Sequence, residues 1–194
     1  MDGLDLFLLR YRELHGSIVD DVVRGLGDAQ VRGRPHPGVN PIAWLLWHAA
    51  RVQDVGVNRL VADRAQVLDD AWLRRLAIAR RDVGTGMTDT QVDALSGTID
   101  LAALRAYWTA VTDRTLAVVD GLRGRPLDGP VPVERVRRAA VDEGAVDASA
   151  GWLIDFWAAG RSHAWILLQT GLLHVYGHYF DARVTRGMWG KRSP

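Results

Sequence analysis

The sequence has no cysteine among its 194 residues. Disulfides, thiolate metal ligands and cysteine nucleophiles are therefore excluded, and a transition-metal site would have to use His, Asp or Glu. Lysine is nearly absent as well, because Lys191 is the only lysine among the 24 basic residues. This bias towards arginine is most simply a mark of GC-rich coding, and it carries no chemistry of its own.

The chain also has no excess of charge of either sign and no long apolar run. Its net charge is +1, which gives no electrostatic reason to expect nucleic acid or an anionic membrane as a partner. No uncharged run reaches the ~18–20 residues that a membrane span needs. The N-terminal stretch is acidic and amphipathic and so does not read as a signal peptide. We therefore expect a cytoplasmic protein.

Alternating strand patterns are missing too, whereas apolar residues recur at helical spacing in four long stretches. These stretches cover residues 2–25, 40–62, 101–122 and 162–187. We predict one all-α domain over residues 1–194, an up-and-down four-helix bundle. A long crossover joins its second and third helices and holds short extra helices near 69–79 and 90–95. The segment 124–160 is the least regular part.

The last long helix carries the most suggestive polar side chains. His174, His178 and Asp181 are spaced i, i+4 and i+7, on one stripe. The opposite side of the helix is also apolar, which predicts a position at the centre of the molecule or at a subunit interface. Buried imidazoles and carboxylates need partners, and a metal ion is one candidate.

A third ligand would have to come from a neighbouring helix. The second long helix starts at Asn40-Pro41, and His48 lies near the edge of its apolar stripe, where it can point inward. His48, His174 and His178 would then form a three-histidine site, with Asp181 as a fourth ligand or as an acceptor that fixes a histidine tautomer. Alternatively, these are core histidines bonded to backbone carbonyls or to each other, and Asp181 pairs with an arginine.

The remaining histidines and the glycine-rich segment give no further candidate site. His15 falls on the apolar stripe of the first helix and reads as a core or edge histidine, and His36 and His163 read as bystanders. The glycines near residues 84–89 indicate a loop and not a phosphate cradle. The metalloprotease pattern HExxH is absent, so the pair of histidines brings no general base with it.

Three stretches resemble the DinB-like (DinB/YfiT) metal-binding bundles. NPIAWLLWHAARVQD is similar to their second helix, GTGMTDTQVDAL to a connection in actinobacterial members, and LLHVYGHYFDARVTRGMWG to their C-terminal metal-binding helix. The resemblance implies a four-helix bundle, often homodimeric, that binds zinc or nickel through three histidines, here His48, His174 and His178. In many members the histidine pair lies one turn later, which here would match His178 with Ala182 and leave Asp181 to replace the missing ligand.

The resemblance also implies a chemistry. Members of this family include thiol-S-transferases and mycothiol-dependent maleylpyruvate isomerase, so the implied partners are a small-molecule thiol such as mycothiol and an electrophile. We therefore hold two hypotheses. One is a metal-dependent thiol transferase or isomerase-like enzyme. The other is a non-catalytic homodimeric bundle whose histidines are structural or whose metal site is structural or vestigial.

Overall fold

A computed structural model describes residues 2–190 of the chain. The described residues are predominantly helical, and they contain no strand beyond an isolated bridge between Pro130 and Ser162. The elements are α1 (Gly3–His15), α2 (Ile18–Val23), α3 (Asp28–Arg32), α4 (Ile42–Gln53), α5 (Asp70–Leu76), α6 (Asp89–Thr98), α7 (Leu101–Asp120), α8 (Val133–Arg137), α9 (Trp152–Ala158), α10 (His163–Leu168) and α11 (His174–Gly190). The predicted all-α bundle is confirmed.

Contacts between the long helices give their directions. Asp5 of α1 pairs with Arg123 after α7, and Asp20 after α1 pairs with Arg105 in α7, so α1 and α7 are antiparallel. Along α4, in contrast, Arg51 contacts Tyr107 and Gln53 contacts Thr115, so α4 and α7 run parallel. The long connection over residues 62–100 makes this parallel pair possible.

The first predicted helix is in fact two helices. α1 ends at His15, Gly16 is its C-cap, and α2 begins at Ile18. A short helix that the sequence did not reveal, α3, lies between α2 and α4. The predicted helix start at Asn40-Pro41 shifts by one residue, because Pro41 is the N-cap of α4.

Two of the long helices contain a π-helical segment. α4 continues through Asp54–Val61, and Gln169–Leu173 connects α10 to α11, so residues 163–190 form one interrupted helix. These segments pack against each other closely. A Cβ atom at Gly56 would lie 2.2 Å from Oγ1 of Thr170, so only glycine allows this approach. The two helices are antiparallel here, because His48 lies beside His174 further along.

The last helix is not enclosed on both sides as its composition suggested. Leu167 and Val175 are buried, but large apolar side chains on the outer side are exposed to solvent. The exposed ones on this helix are Leu168, Leu173, Phe180 and Val184. The single chain therefore does not enclose this helix at the centre of the molecule, and the alternative expectation, a subunit interface, stays a prediction. Residues 191–194, which include Lys191, lie outside the described residues.

A buried ion pair anchors the start of the long connection. The carboxylate of Asp54 accepts hydrogen bonds from Arg51 at 3.0 Å, from Tyr107 at 2.7 Å and from the backbone N–H of Leu68 at 2.9 Å. Because the buried charge is paired and its lone pairs are used, it is tolerated in the core. Within residues 2–190, no helix is both long enough and apolar enough to cross a membrane.

Candidate metal centre

Three histidines from two helices meet inside the bundle. His48 of α4 and His174 and His178 of α11 each offer one ring nitrogen, and these nitrogens all lie within 4.8 Å of one another. The ring centroids are 4.5 to 4.9 Å apart. The HxxxH spacing places two imidazoles on successive turns of one helix, and the antiparallel α4 supplies the third.

His48 is fixed by the loop that follows α5. Its Nδ1–H donates to the backbone carbonyl of Val83, so the lone pair is left on Nε2. The ring of Trp44, one turn earlier, stacks on the imidazole with centroids 4.6 Å apart. The loop itself is held against α4, because a Cβ atom at Gly84 would lie 2.5 Å from the Trp47 ring.

His178 is oriented by a carboxylate. Its Nδ1 lies 3.0 Å from an oxygen of Asp181, while its Nε2 faces His174. A carboxylate behind a histidine fixes the tautomer and raises the basicity of the inner nitrogen. Asp181 lies on the outer side of the ring and is not in the group of three converging ligand atoms. The geometry thus gives it the supporting position that the sequence left open beside a direct ligand role.

The two nitrogens that face each other are spaced as ligands of one ion would be. Nε2 of His174 and Nε2 of His178 are 3.2 Å apart. Two ligand nitrogens each ~2.0–2.1 Å from a zinc ion, at tetrahedral or somewhat smaller angles, lie roughly 3.0–3.4 Å from each other. The same distance also suits a hydrogen bond between the rings, so the spacing alone allows both sequence-based interpretations.

The outer nitrogens of His48 and His178 favour a ligand set. His48 and His178 both have acceptors on their outer nitrogens, which directs both inner lone pairs into the cluster. Nδ1 of His174, in contrast, is buried and has no hydrogen-bond partner among the described residues. Three neutral imidazoles with converging nitrogens fit a divalent transition metal such as zinc or nickel.

The surroundings keep the imidazoles neutral. Burial, together with the nearby His178, lowers the pKa of His48 to about 3, although the hydrogen bond to Val83 opposes the shift. Burial and the two neighbouring histidines hold the pKa of His174 well below its usual range. Burial also lowers the pKa of His178, although Asp181 opposes the shift. At neutral pH the lone pairs are therefore available to a metal ion without competition from protons.

The other predicted residues lie outside this cluster. His15 is buried and its Nε2 bonds to the carbonyl of Gly171, so the core interpretation is confirmed. His36, in a bend, and His163, the first residue of α10, bond to the backbone carbonyls of Pro37 and Gly129. Ala182 occupies the place where many family members have the second histidine of the pair. Its side chain is buried, and the structure brings His174, not residue 182, to His178.

Sequence reasoning missed the backbone group that orients His48. Val83 contributes its backbone carbonyl. Every residue has such a carbonyl, so the residue type does not reveal this role. A weak signal was present in the glycines that follow, since Gly84 and Gly86 adopt positive φ values of 85° and 83°. The role of Trp44 was also missed, because a tryptophan at core spacing does not reveal that it stacks on a histidine.

Comparison with known proteins supports the fold. The DinB superfamily model matches residues 13–159, a range that contains His48 and ends before His174. A conserved protein from Enterococcus faecalis, known from its crystal structure, is 16% identical and superposes with a TM-score of 0.72 over 99% of each chain. At this identity the likeness concerns the fold alone. No curated protein matches the chain.

The matched range covers most of the chain, and it includes α7 and the helix that carries His48, α4. The chain belongs to the DinB superfamily.

Proposed function

We propose that the protein binds a divalent metal ion, zinc or nickel, through His48, His174 and His178, and uses it in a thiol-transfer or isomerase-like reaction. The observation that carries the proposal is the convergence of three ring nitrogens within 4.8 Å. Three protein ligands leave coordination positions free for a substrate, as in catalytic zinc sites. Fully satisfied structural sites use four protein ligands, and no fourth joins this group among the described residues.

The side chains around the three-histidine site differ in exposure and therefore in the role that we propose for each. His48 is 5% exposed and forms the closed end of the site. The side chain of His178 is 22% exposed and marks the side from which a substrate can approach. A bound divalent ion supplies Lewis acidity, which lowers the pKa of a thiol beside it. Trp44 shields the inner wall, and Asp181 keeps the inner nitrogen of His178 deprotonated.

The proposal of a thiol substrate comes from the family resemblance. The chain has no cysteine, so a sulfur nucleophile has to come from a small molecule. A mycothiol-type thiol and a small electrophile are the partners that the resemblance implies. Neither nucleic acid nor a membrane is part of the proposal, because the net charge of +1 provides no attraction to either.

Metal reconstitution tests the proposal. Protein purified without metal is titrated with Zn²⁺ and with Ni²⁺, and the loss of the electrophilic substrate is followed with and without mycothiol. We expect about one ion per chain for wild type and for His36→Ala, whose exposed histidine lies outside the cluster. His48→Ala and His174→Ala should each lose most of the binding, because two ligands hold zinc far less tightly than three.

The outcomes separate the two hypotheses. Wild type that binds neither zinc nor nickel more tightly than the His48→Ala/His174→Ala double variant does would contradict the metal site. Tight binding with no thiol-dependent turnover for any thiol and electrophile would contradict the enzyme and leave a structural metal site.

The proposal includes a homodimer formed through α1 and the last helix. These elements are neighbours, since Arg10 donates to the hydroxyl of Tyr176 at 3.0 Å. Large apolar side chains are exposed on both of them. Leu6 and Leu9 project from α1, and Leu173, Phe180 and Val184 project from the last helix. A second copy of the chain would cover this apolar surface, which is unusual for a soluble monomer.

Light scattering after size-exclusion chromatography tests the dimer. Phe180→Glu should shift the protein to the mass of a monomer, because it buries a charge in the interface. Val141→Glu, at an equally exposed apolar residue between α8 and α9, should leave the mass unchanged. A monomeric wild type would contradict this part of the proposal without affecting the metal site.

A further inference from the structure

The turn before His174 sets the direction in which both histidines of α11 point. The backbone N–H of His174 bonds to the carbonyl of Gln169, five residues earlier, where an α-helix would use a residue four earlier. A π turn of this kind adds one residue to the helix, and one residue corresponds to a rotation of roughly 100° about the axis. If the turn relaxed to a regular α-helix, His174 and His178 would rotate away from His48.

His15 holds this turn from the side of α1. Its Nε2–H donates to the carbonyl of Gly171, in the middle of the π segment, at 3.2 Å. The imidazole is 7% exposed and lies between two aromatic rings. The centroid of the Tyr11 ring is 3.9 Å away and that of Trp108 is 5.2 Å away. The aromatic stack therefore fixes the plane of the imidazole beside this carbonyl.

The packing around the turn leaves little room for another conformation. A Cβ atom at Gly171 would lie 3.0 Å from the ring of Phe7, so α1 touches the backbone of the turn. On the opposite side, Thr170 is pressed against Gly56 of the helix that carries His48. The π turn thus lies between α1 and α4, and the one side-chain hydrogen bond that reaches it from α1 comes from His15.

We propose that His15 is a positioning residue for the three-histidine site. Its hydrogen bond to Gly171 retains the π turn, and the π turn keeps His174 and His178 facing His48. The inference rests on the proposed function in one respect, namely that a metal ion is what the three imidazoles bind. His15 itself touches neither the cluster nor its ligand.

Two substitutions at position 15 separate the hydrogen bond from the packing. His15→Phe keeps a ring between Tyr11 and Trp108 and removes the donor. His15→Gln keeps an N–H that reaches a carbonyl and removes the ring. Val119→Ala truncates a buried residue of α7 that takes part in neither the hydrogen bond nor the aromatic stack of His15, and it controls for a general loss of stability. Each protein is titrated with Zn²⁺ against a competing chelator, and amide hydrogen exchange is measured at His174.

We expect His15→Phe to weaken zinc binding by about tenfold or more, as loss of outer support does at metal sites. The exchange of the His174 amide should become faster. His15→Gln should restore much of the affinity, and Val119→Ala should bind like wild type. Zinc affinity of His15→Phe equal to that of wild type, or reduced no more than in Val119→Ala, would overturn the inference.

Failure of the metal proposal is distinguishable from failure of this one. If wild type binds neither zinc nor nickel, the proposed function is wrong, and the amide exchange of His174 alone decides the role of His15. Faster exchange in His15→Phe than in Val119→Ala then supports the positioning role, and equal exchange refutes it.

Discussion

Single side chains decide whether the cluster acts as a ligand set, because a neutral imidazole has only one lone pair to offer. Val83 and Asp181 take the outer nitrogens of His48 and His178, and this arrangement points both lone pairs inward. Neither acceptor is itself among the three converging groups, yet each determines which ring nitrogen of its histidine carries the lone pair. Asp181 is the more accessible of the two to substitution, since Val83 acts through its backbone.

Asp181→Asn should weaken zinc binding without abolishing it. Loss of an outer carboxylate typically costs about 10–100-fold in affinity. The side chain of Asp181 is 61% exposed, so solvent already screens its charge, and we expect a loss near the lower end of that range. Competition titration measures the change.

Asp155→Asn, at an exposed carboxylate of α9, is the matched control and should bind zinc normally. If Asp181→Asn binds zinc as tightly as wild type, Asp181 does not support the site.

At the level of elements, the close contact between the two π segments brings α4 and the last helix together. Gly56 permits it, because any side chain at this position would collide with Thr170. The contact lies two to three turns from His48 along α4, so a displacement here would move the histidines relative to each other. The packing of these helices is therefore part of the site.

Gly56→Ala should destabilise the fold by about 1–3 kcal/mol, the usual cost of overpacking a core. It should also weaken zinc binding, because the helices are forced apart near the cluster. Urea unfolding of the metal-free protein measures the first effect, and zinc titration measures the second. Gly97→Ala, in α6 where a Cβ meets open space, should instead be neutral or stabilising by roughly 0.5–1 kcal/mol. A Gly56→Ala protein as stable as wild type would contradict the close contact.

The long helices could be predicted from the sequence, whereas the π turns within them could not. Helical spacing identified the long helices and the stripe of His174, His178 and Asp181, because 3.6-residue periodicity is a local property. The π turns were not predictable in this way. A bulge such as Gln169–Leu173 is stabilised by distant contacts, here from Phe7, His15 and Gly56, and not by its own residues.

The same distinction applies to the site. The convergence of His48 with the α11 pair could be predicted from the inward-facing positions together with the family resemblance. The acceptor for His48 could not, because Val83 lies 35 residues away on a loop. The exposure of Phe180 also escaped prediction, since an apolar stripe indicates burial without showing whether a second chain provides it.

For the whole molecule, buried neutral histidines make stability depend on pH. Burial lowers the pKa of His15 to about 4 from its usual value near 6.5. The unfolded chain therefore binds a proton at mildly acidic pH that the folded chain does not. The contribution is fully present above pH 6.5 and is lost progressively as the pH falls towards 4.

Comparison of wild type with His15→Phe isolates this contribution, because the other titrating groups are common to both. Between pH 7.5 and pH 5, wild type should lose about 2 kcal/mol more of its free energy of unfolding than the variant does. Urea unfolding of the metal-free proteins at several pH values provides the measurement. Parallel pH profiles for the two proteins would show that His15 titrates normally in the folded state.

X-ray absorption spectroscopy of the zinc-loaded protein is the most direct measurement of the three-histidine site. Three imidazole ligands with zinc–nitrogen distances of about 2.0–2.1 Å are expected, and one imidazole should be lost in His48→Ala. A zinc environment with fewer than three imidazoles in wild type, or one that His48→Ala leaves unchanged, would contradict the convergence of α4 and α11 on a single ion.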